Sequence, residues 1–124
     1  MKQGEPSILV IEDELPIRRF LRALLANEGY HFVEASSGEE GLRLATSQPP
    51  DLVILDLGLP DMDGQDVLQR LREWLTAPII ILSARDQETQ KIKALDNGAD
   101  DYVTKPFGTG ELMARMRTAL RHAN

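Results

Sequence analysis

The sequence contains no cysteine and only two histidines. Without cysteine the chain has neither a disulfide framework nor thiolate chemistry, which is compatible with a reducing cytoplasm. His31 and His122 do not have the spacing of metal ligands, so we expect them at the edge of the core and in the tail. An apolar run of transmembrane length and a signal-peptide pattern are also lacking. We therefore expect a soluble cytoplasmic protein that does not bind membranes.

Basic residues are outnumbered by acidic ones. The chain has 14 lysines and arginines against 20 aspartates and glutamates, with a net charge of -6 and a pI near 4.9. Because nucleic-acid affinity depends largely on cationic contacts with phosphates, this balance disfavours DNA binding by the chain itself. Arg115 and Arg117 lie near Glu111 and the Asp100–Asp101 pair, which predicts a mixed-sign surface there instead of a basic groove.

Length and periodicity predict one α/β domain. The 124 residues suffice for a single core, and 42% hydrophobic with 27% charged residues is globular composition. Apolar runs of strand length alternate with stretches of helical period, which predicts βα units around a parallel sheet. The predicted strands span residues 7–11, 31–35, 52–55, 79–82 and 102–104. We expect a doubly wound, flavodoxin-like sheet of five parallel strands in the common order 2-1-3-4-5.

Amphipathic patterns predict five helices between and after these strands. Ser37 and Glu40 form a capping-box pattern for the second helix. Trp74 and the methionines are expected to be packing groups. The apolar positions of the first helix are Ile17, Phe20, Leu21, Leu24 and Leu25; those of the later helices include Val67, Leu71 and Trp74, then Ile92 and Leu95, then Leu112, Met116, Ala119 and Leu120.

Carboxylates follow two buried strands of the predicted sheet. Glu12 and Asp13 follow the first strand and Asp56 follows the third, on either side of the point where strand order reverses. Three such groups would repel one another unless a cation lay among them, and a divalent metal such as Mg²⁺ suits oxygen ligands. Asp56 can then act as a nucleophile toward phosphorus, with Glu12 acting through a coordinated water.

Two further polar groups follow other strands at the same edge. Ser83 follows the fourth strand and Lys105 the fifth, so a hydroxyl and an ammonium can reach phosphoryl oxygens. Taken singly, Asp13 or Asp56 could as readily be a helix cap, and Lys105 a solvated lysine before Pro106. Taken together, groups at the end of four strands favour a shared ligand. The segment 61–64 (DMDG) resembles the start of a calcium loop but has the wrong spacing, so we interpret it as a turn and helix cap.

These residues, in this order, resemble the receiver domain of bacterial two-component response regulators. Further matching segments are LGLPD at 57–61, LSAR at 82–85, GADDY at 98–102 and KPFG at 105–108. They are similar to the subclass that carries a C-terminal winged-helix DNA-binding domain. The segments RRFLR at 18–22 and ALD at 94–96 are more similar to the Kdp-type potassium-response regulator. The resemblance covers residues 1–124, and the DNA-binding domain is absent from this chain.

The resemblance implies a signalling role and not a conventional enzyme. Asp56 would accept phosphate from the phosphohistidine of a sensor histidine kinase, and Asp13, Asp56 and the carbonyl of Gly58 would bind Mg²⁺. Ser83 and Tyr102 would form a switch, in which the hydroxyl moves toward the phosphoryl group and the ring turns into the vacated space. Arg85 and Gly58 would influence the lifetime of the phosphoaspartate through the access of water.

The resemblance also implies a phosphorylation-dependent homodimer through helix four, strand five and helix five. DNA would be bound only through the domain that is absent here, with potassium-transport genes as the targets. Ile92, Leu95 and Ala114 would form the apolar centre of the interface, and its cross-subunit ion pairs would come from Lys91, Asp96, Asp100, Asp101, Glu111, Arg115 and Arg117.

Three other functions are alternatives to a phosphoacceptor receiver. A haloacid dehalogenase-like phosphatase also uses aspartate, hydroxyl, lysine and Mg²⁺, but it places its nucleophile after the first strand with an aspartate two residues later, where this chain has Gly58 after Asp56. A flavodoxin-like cofactor binder would need its phosphate loop at Glu12 and Asp13, where the charge is negative. A degenerate receiver would serve only as an interaction module, although none of the expected functional groups is missing.

Overall fold

The computed structural model describes residues 5–84 and 87–123, in which strands and helices alternate along the chain. The strands are β1 (Ser7–Ile11), β2 (His31–Ala35), β3 (Leu52–Leu55), β4 (Ile79–Ser83) and β5 (Asp101–Thr104). The helices are α1 (Leu15–Asn27), α2 (Gly38–Ser47), α3 (Gly64–Arg72), α4 (Glu88–Asp96) and α5 (Thr109–His122). None of these helices is long and apolar enough to cross a membrane.

All the strand pairs are parallel, and the sheet order is β2-β1-β3-β4-β5, which confirms the predicted fold. β4 includes Ser83 and β5 begins at Asp101, so each is one residue longer than predicted. The order reverses between β1 and β3, whose register aligns Ile11 with Leu55. Glu12 and Asp56 therefore leave the sheet side by side.

Both faces of the sheet are covered, which explains the unbroken apolar runs of the central strands. Successive residues of a strand point to opposite faces and so enter different core clusters. One cluster joins the sheet to α2, α3 and α4, and it includes Leu9, Ile11, Val53, Leu55, Val67, Leu71 and Ala94. The other joins it to α1 and α5, and it includes Ile8, Val10, Leu52, Ile54, Leu21, Leu25, Leu112 and Met116.

Side-chain caps fix the starts of two helices near the carboxyl edge. Ser37 Oγ accepts from the Glu40 amide at 3.2 Å, as predicted, but the Glu40 carboxylate accepts from Ser36 instead of closing the box on Ser37. Asp63 caps α3 by accepting from the Gln65 amide at 2.9 Å. Asp61 reaches across to the first amides of α2, at Gly38 and Glu39, and these hydrogen bonds lower its pKa. The interpretation of 61–64 as a turn and cap is thus confirmed.

Two aromatic side chains do not pack as predicted. Phe20 is 46% exposed because the buried stripe of α1 is centred on Leu21 and Leu25, which leaves Phe20 at its edge beside Phe107. Trp74 is 47% exposed because α3 ends at Arg72, so the helical period no longer applies to position 74. The neighbouring Leu75 is buried instead.

Candidate functional site

The carboxyl edge of the sheet brings the three predicted acids together. Backbone hydrogen bonds continue the strand pairing beyond β1 and β3, since the Asp56 amide donates to Ile11 and the Glu12 amide to Ala35, each at 3.0 Å. Glu12, Asp13 and Asp56 each offer a carboxylate oxygen, and these oxygens lie within 4.8 Å of one another. Glu12 and Asp56 are buried, at 2% and 5% exposure, so their charges have little access to water.

Lys105 lies among these acids, as the sequence predicted. Its Nζ donates to Glu12 Oε1 at 2.8 Å and lies 3.6 Å from Asp56 Oδ1 and 3.8 Å from Glu14 Oε2. The Lys105 amide also donates to the Ser83 carbonyl at 2.8 Å, and the bond to Pro106 is cis. One ammonium therefore ion-pairs with three carboxylates, and Asp13 adds a fourth beside them. The excess of negative charge and the oxygen ligands fit a hard divalent cation.

Burial shifts the ionisation of this pocket. Desolvation raises the pKa of Glu12 to about 7, although the hydrogen bond from Lys105 acts in the opposite direction. Desolvation also raises the pKa of Asp56, against the attraction of Lys105 and a hydrogen bond from the Gly58 amide. For Lys105, burial is outweighed by the hydrogen bond to Glu12 and the charge of Asp56, so its pKa is raised. The acids resist being charged unless a cation joins them.

This ionisation predicts a pH-dependent stability in the absence of metal. The folded pKa of Glu12, about 7, lies above its ordinary value of 4.5, so between these values the folded state binds more protons than the unfolded chain. The free energy of unfolding therefore decreases as pH rises through this window. We expect the Tm measured in EDTA to fall between about pH 5 and pH 7.5, and Glu12→Gln to flatten the slope. An equally steep slope in Glu12→Gln would contradict this assignment.

Ser83 and Tyr102 lie on the neighbouring strands. Ser83 ends β4, is 1% exposed and is in register with Thr104 of β5. Tyr102 is buried in the cluster beneath α4, with the Lys91 ammonium 5.6 Å from its ring centroid. The inward movement predicted for this ring thus starts from a position that is already largely buried. Arg85, which was expected to affect the phosphoaspartate lifetime, lies outside the described residues.

The surface formed by α4, β5 and α5 exposes the predicted apolar residues. Ile92 and Leu95 are 49% and 44% exposed, and Ala114 is also exposed. Several of the charges predicted to pair across subunits also form pairs within this chain: Arg115 pairs with Asp101 at 3.0 Å and with Glu111 at 2.9 Å, and Asp100 pairs with Arg72 at 2.6 Å.

Two residues that shape the pocket were not among the predicted site residues. Arg18 was noticed only as part of a matching segment, yet its guanidinium donates to the carbonyls of Glu12 and Asp13. Gly64 was noticed only as part of a turn, yet a Cβ at this position would lie 2.4 Å from the Leu57 Cα. Both contacts depend on how the α1 and α3 helices meet the strand ends, and local patterns do not reveal that.

Comparisons with known proteins agree with this geometry. A family model described as the response regulator receiver domain matches residues 8–117. The transcriptional regulatory protein KdpE of Mycobacterium tuberculosis is 60% identical over 114 residues, which cover 92% of this chain and 50% of that protein. KdpE of Escherichia coli, a KDP operon transcriptional regulatory protein, is 55% identical over 115 residues, which cover 93% and 51%. The chain thus spans about half the length of these curated relatives.

Solved structures show the same fold. The receiver domain of the Francisella response regulator 1452 aligns with a TM-score of 0.91 at 34% identity, covering 97% of this chain and 100% of that one. The BeF3-activated receiver domain of RstA from Klebsiella pneumoniae aligns with a TM-score of 0.89 at 31% identity, covering 93% and 98%. The alternative of a haloacid dehalogenase-like phosphatase is not supported, because the family model and these structures all point to receivers.

Proposed function

The chain belongs to the response regulator receiver family, and from that premise we propose that Asp56 accepts a phosphoryl group from the phosphohistidine of a sensor kinase. The observation that carries the proposal is the position of Asp56. It is a buried carboxylate that follows a central strand, with two further acids within 4.8 Å and the Lys105 ammonium at 3.6 Å. A receiver has a signalling role, so the phosphoryl transfer modifies the protein itself and does not turn over a substrate.

In the proposed step an Asp56 oxygen attacks phosphorus and the phosphorus–nitrogen bond of the phosphohistidine breaks. The imidazole of the kinase leaves with the bonding electrons, and an acyl phosphate forms on Asp56. Lys105 donates to one phosphoryl oxygen and the Ser83 hydroxyl donates to another. Asp13, Asp56 and the Gly58 carbonyl would hold Mg²⁺, with Glu12 acting through water, and the bound ion would supply positive charge that offsets the charge of the phosphoryl group. The same groups would assist dephosphorylation by water.

We propose that the new contacts of Ser83 and Lys105 shift the domain between two packings. Ser83 moves toward the phosphoryl group, and Tyr102 moves deeper into the space beneath α4, with a coupling of roughly 1 to 3 kcal/mol. The solvent accessibility of the Tyr102 ring, measured by NMR, tests this step. An unchanged ring environment after phosphorylation would contradict it.

The surface of α4, β5 and α5 is the proposed dimer interface of the phosphorylated chain. Its support is the exposure of Ile92 and Leu95, two large apolar side chains on one short helix. Arg115 would exchange part of its pairing with Asp101 and Glu111 for acids of a second subunit. Sedimentation of phosphorylated wild type and Ile92→Asp tests this surface, since dimerisation that persists in the variant would contradict it.

A role in transcription would require a DNA-binding domain outside this chain. The KdpE relatives are named as transcriptional regulators, and the Escherichia coli protein is named for the KDP operon. We propose that this receiver, together with such a DNA-binding domain, likewise controls potassium-transport genes. Transcript levels of potassium-transport genes, compared between wild-type cells and cells that carry Asp56→Ala, test the proposal, and identical responses to potassium would contradict it.

Phosphorylation by a small donor tests the central function without the kinase. We expect the intact mass of the chain to increase by one phosphoryl group after incubation with acetyl phosphate and Mg²⁺. EDTA removes the cation that offsets the clustered carboxylates, so the increase should disappear in its presence. No increase in Mg²⁺, or an increase that survives Asp56→Ala, would contradict the proposal.

A further inference from the structure

Arg18 ties the turn that carries the acid pair to the first helix. From the first turns of α1, its Nη1 donates to the carbonyl oxygens of both Glu12, at 2.8 Å, and Asp13, at 3.0 Å. The Arg18 side chain is 14% exposed, so water has little access to replace these bonds. A single guanidinium nitrogen therefore holds two consecutive peptide groups of the turn between β1 and α1.

Arg18 is itself held from the neighbouring strand. Its Nε donates to Glu34 Oε1 of β2 at 3.0 Å, and Glu34 also accepts from Arg22, whose guanidinium lies over the Phe32 ring. Burial opposes ionisation of Glu34, but the hydrogen bonds from Arg22 and Arg18 outweigh it, so the pKa of Glu34 is lowered. Arg18 and Glu34 thus form a charge-assisted contact that links β2 and α1 to the turn of Glu12 and Asp13.

We propose that Arg18 is a positioning residue for the acidic pocket. Glu12, Asp13 and Asp56 repel one another, and that repulsion acts to open the turn on which two of them lie. Arg18 opposes this movement through the backbone carbonyls, and it leaves the carboxylates of Glu12 and Asp13 to other partners. The inference rests on the proposed function, because the affinity of the pocket for Mg²⁺ is what the positioning serves.

The sign of the effect separates positioning from a simple charge effect. Arg18→Ala removes a positive charge close to an acidic cluster, and by electrostatics alone this change would tighten the binding of a cation. If Arg18 holds the turn, its removal lets the acids separate, and Mg²⁺ binding weakens. Arg22→Ala is the matched control, since it removes an arginine from the same Glu34 without touching the turn.

The test is calorimetric titration of Mg²⁺ into wild type, Arg18→Ala, Arg22→Ala, Arg18→Lys and Glu34→Gln. We expect the Kd of Arg18→Ala to rise by about 10-fold, a typical effect of removing a group that orients metal ligands. Arg22→Ala should stay within about 2-fold of wild type, well below that range. The Kd of Arg18→Lys should lie between these values, because a lysine cannot reach both carbonyls and Glu34. The Kd of Glu34→Gln should also lie between them, because this change weakens the contact with Arg18 but leaves the carbonyl contacts in place.

A Kd for Arg18→Ala that is unchanged, lower than wild type or equal to that of Arg22→Ala would overturn the proposal. If Arg18→Ala does not fold, as judged by thermal unfolding, Arg18→Lys decides in the same way, because it keeps the positive charge and changes only the contacts. Raising Mg²⁺ should restore the rate of phosphorylation by acetyl phosphate in the Arg18 variants, which a general loss of structure would not allow. If wild type itself fails to bind Mg²⁺, the proposed function fails instead, so the two failures are distinguishable.

Discussion

We expect Asp56→Asn to abolish phosphorylation by acetyl phosphate and at the same time to raise the Tm of the metal-free domain by several degrees. The first effect follows because the amide lacks the nucleophilic carboxylate oxygen. The second follows because burial raises the pKa of Asp56, which shows that its charge is held at a cost. Removing that charge also relieves repulsion from Asp13, while Glu12 keeps its hydrogen bond with Lys105 at 2.8 Å.

Intact mass and thermal unfolding in EDTA measure the two effects. Asp66→Asn is the matched control, because it makes the same chemical change at an exposed position in the first turn of α3. It should leave both phosphorylation and Tm close to those of wild type. A lower Tm for Asp56→Asn would show that the charge of Asp56 contributes to stability, and it would contradict the expected cost of burying that charge.

We expect Gly64→Ala to destabilise the domain strongly and to slow phosphorylation. The new Cβ would lie 2.4 Å from the Leu57 Cα and 2.7 Å from the Asp56 carbonyl oxygen, and these are backbone atoms that cannot rotate away. α3 must therefore move from the strand end, or the segment that follows Asp56 must shift. Overpacking of this kind costs about 3 kcal/mol. The shift also displaces Asp56 relative to Glu12 and Asp13.

Urea denaturation measures the free energy of unfolding, and the rate of mass increase in acetyl phosphate measures the function. Gly110→Ala is the control, since it lies in α5 and a Cβ there has no atom within 4 Å apart from its chain neighbours and the backbone of its own helix. Because alanine is a better helix former than glycine, this change should not destabilise the domain. Equal stability of the two variants would mean that α3 does not press on the strand end.

The strands and the acid pocket could be predicted from sequence because their causes are local. A strand covered on both faces must be apolar throughout, and polar residues that end such strands meet at one edge once the strand order is known. The sequence thus predicts that Lys105 and Glu12, 93 positions apart, lie in one pocket, and the structure places them in contact.

Contacts between elements could not be predicted in the same way. Helical periodicity assigned Phe20 and Trp74 to the core, but the centring of α1 and the end of α3 leave both exposed. The reach of Arg18 to two carbonyls and Glu34 depends on the angle at which α1 leaves the sheet. The tight approach of Gly64 to Leu57 likewise depends on how α3 packs, and a glycine in a turn is usually explained by the turn alone.

We expect Asp56 to carry the phosphoryl group, and reductive trapping with borohydride identifies the modified residue. Borohydride converts an acyl phosphate of aspartate into homoserine, which is stable during digestion and identifiable by tandem mass spectrometry. After incubation with acetyl phosphate and Mg²⁺, we predict homoserine at position 56 and unmodified aspartate at position 13. Trapping at Asp13, at another residue or nowhere in the chain would contradict the proposed role of Asp56 as the phosphoryl acceptor.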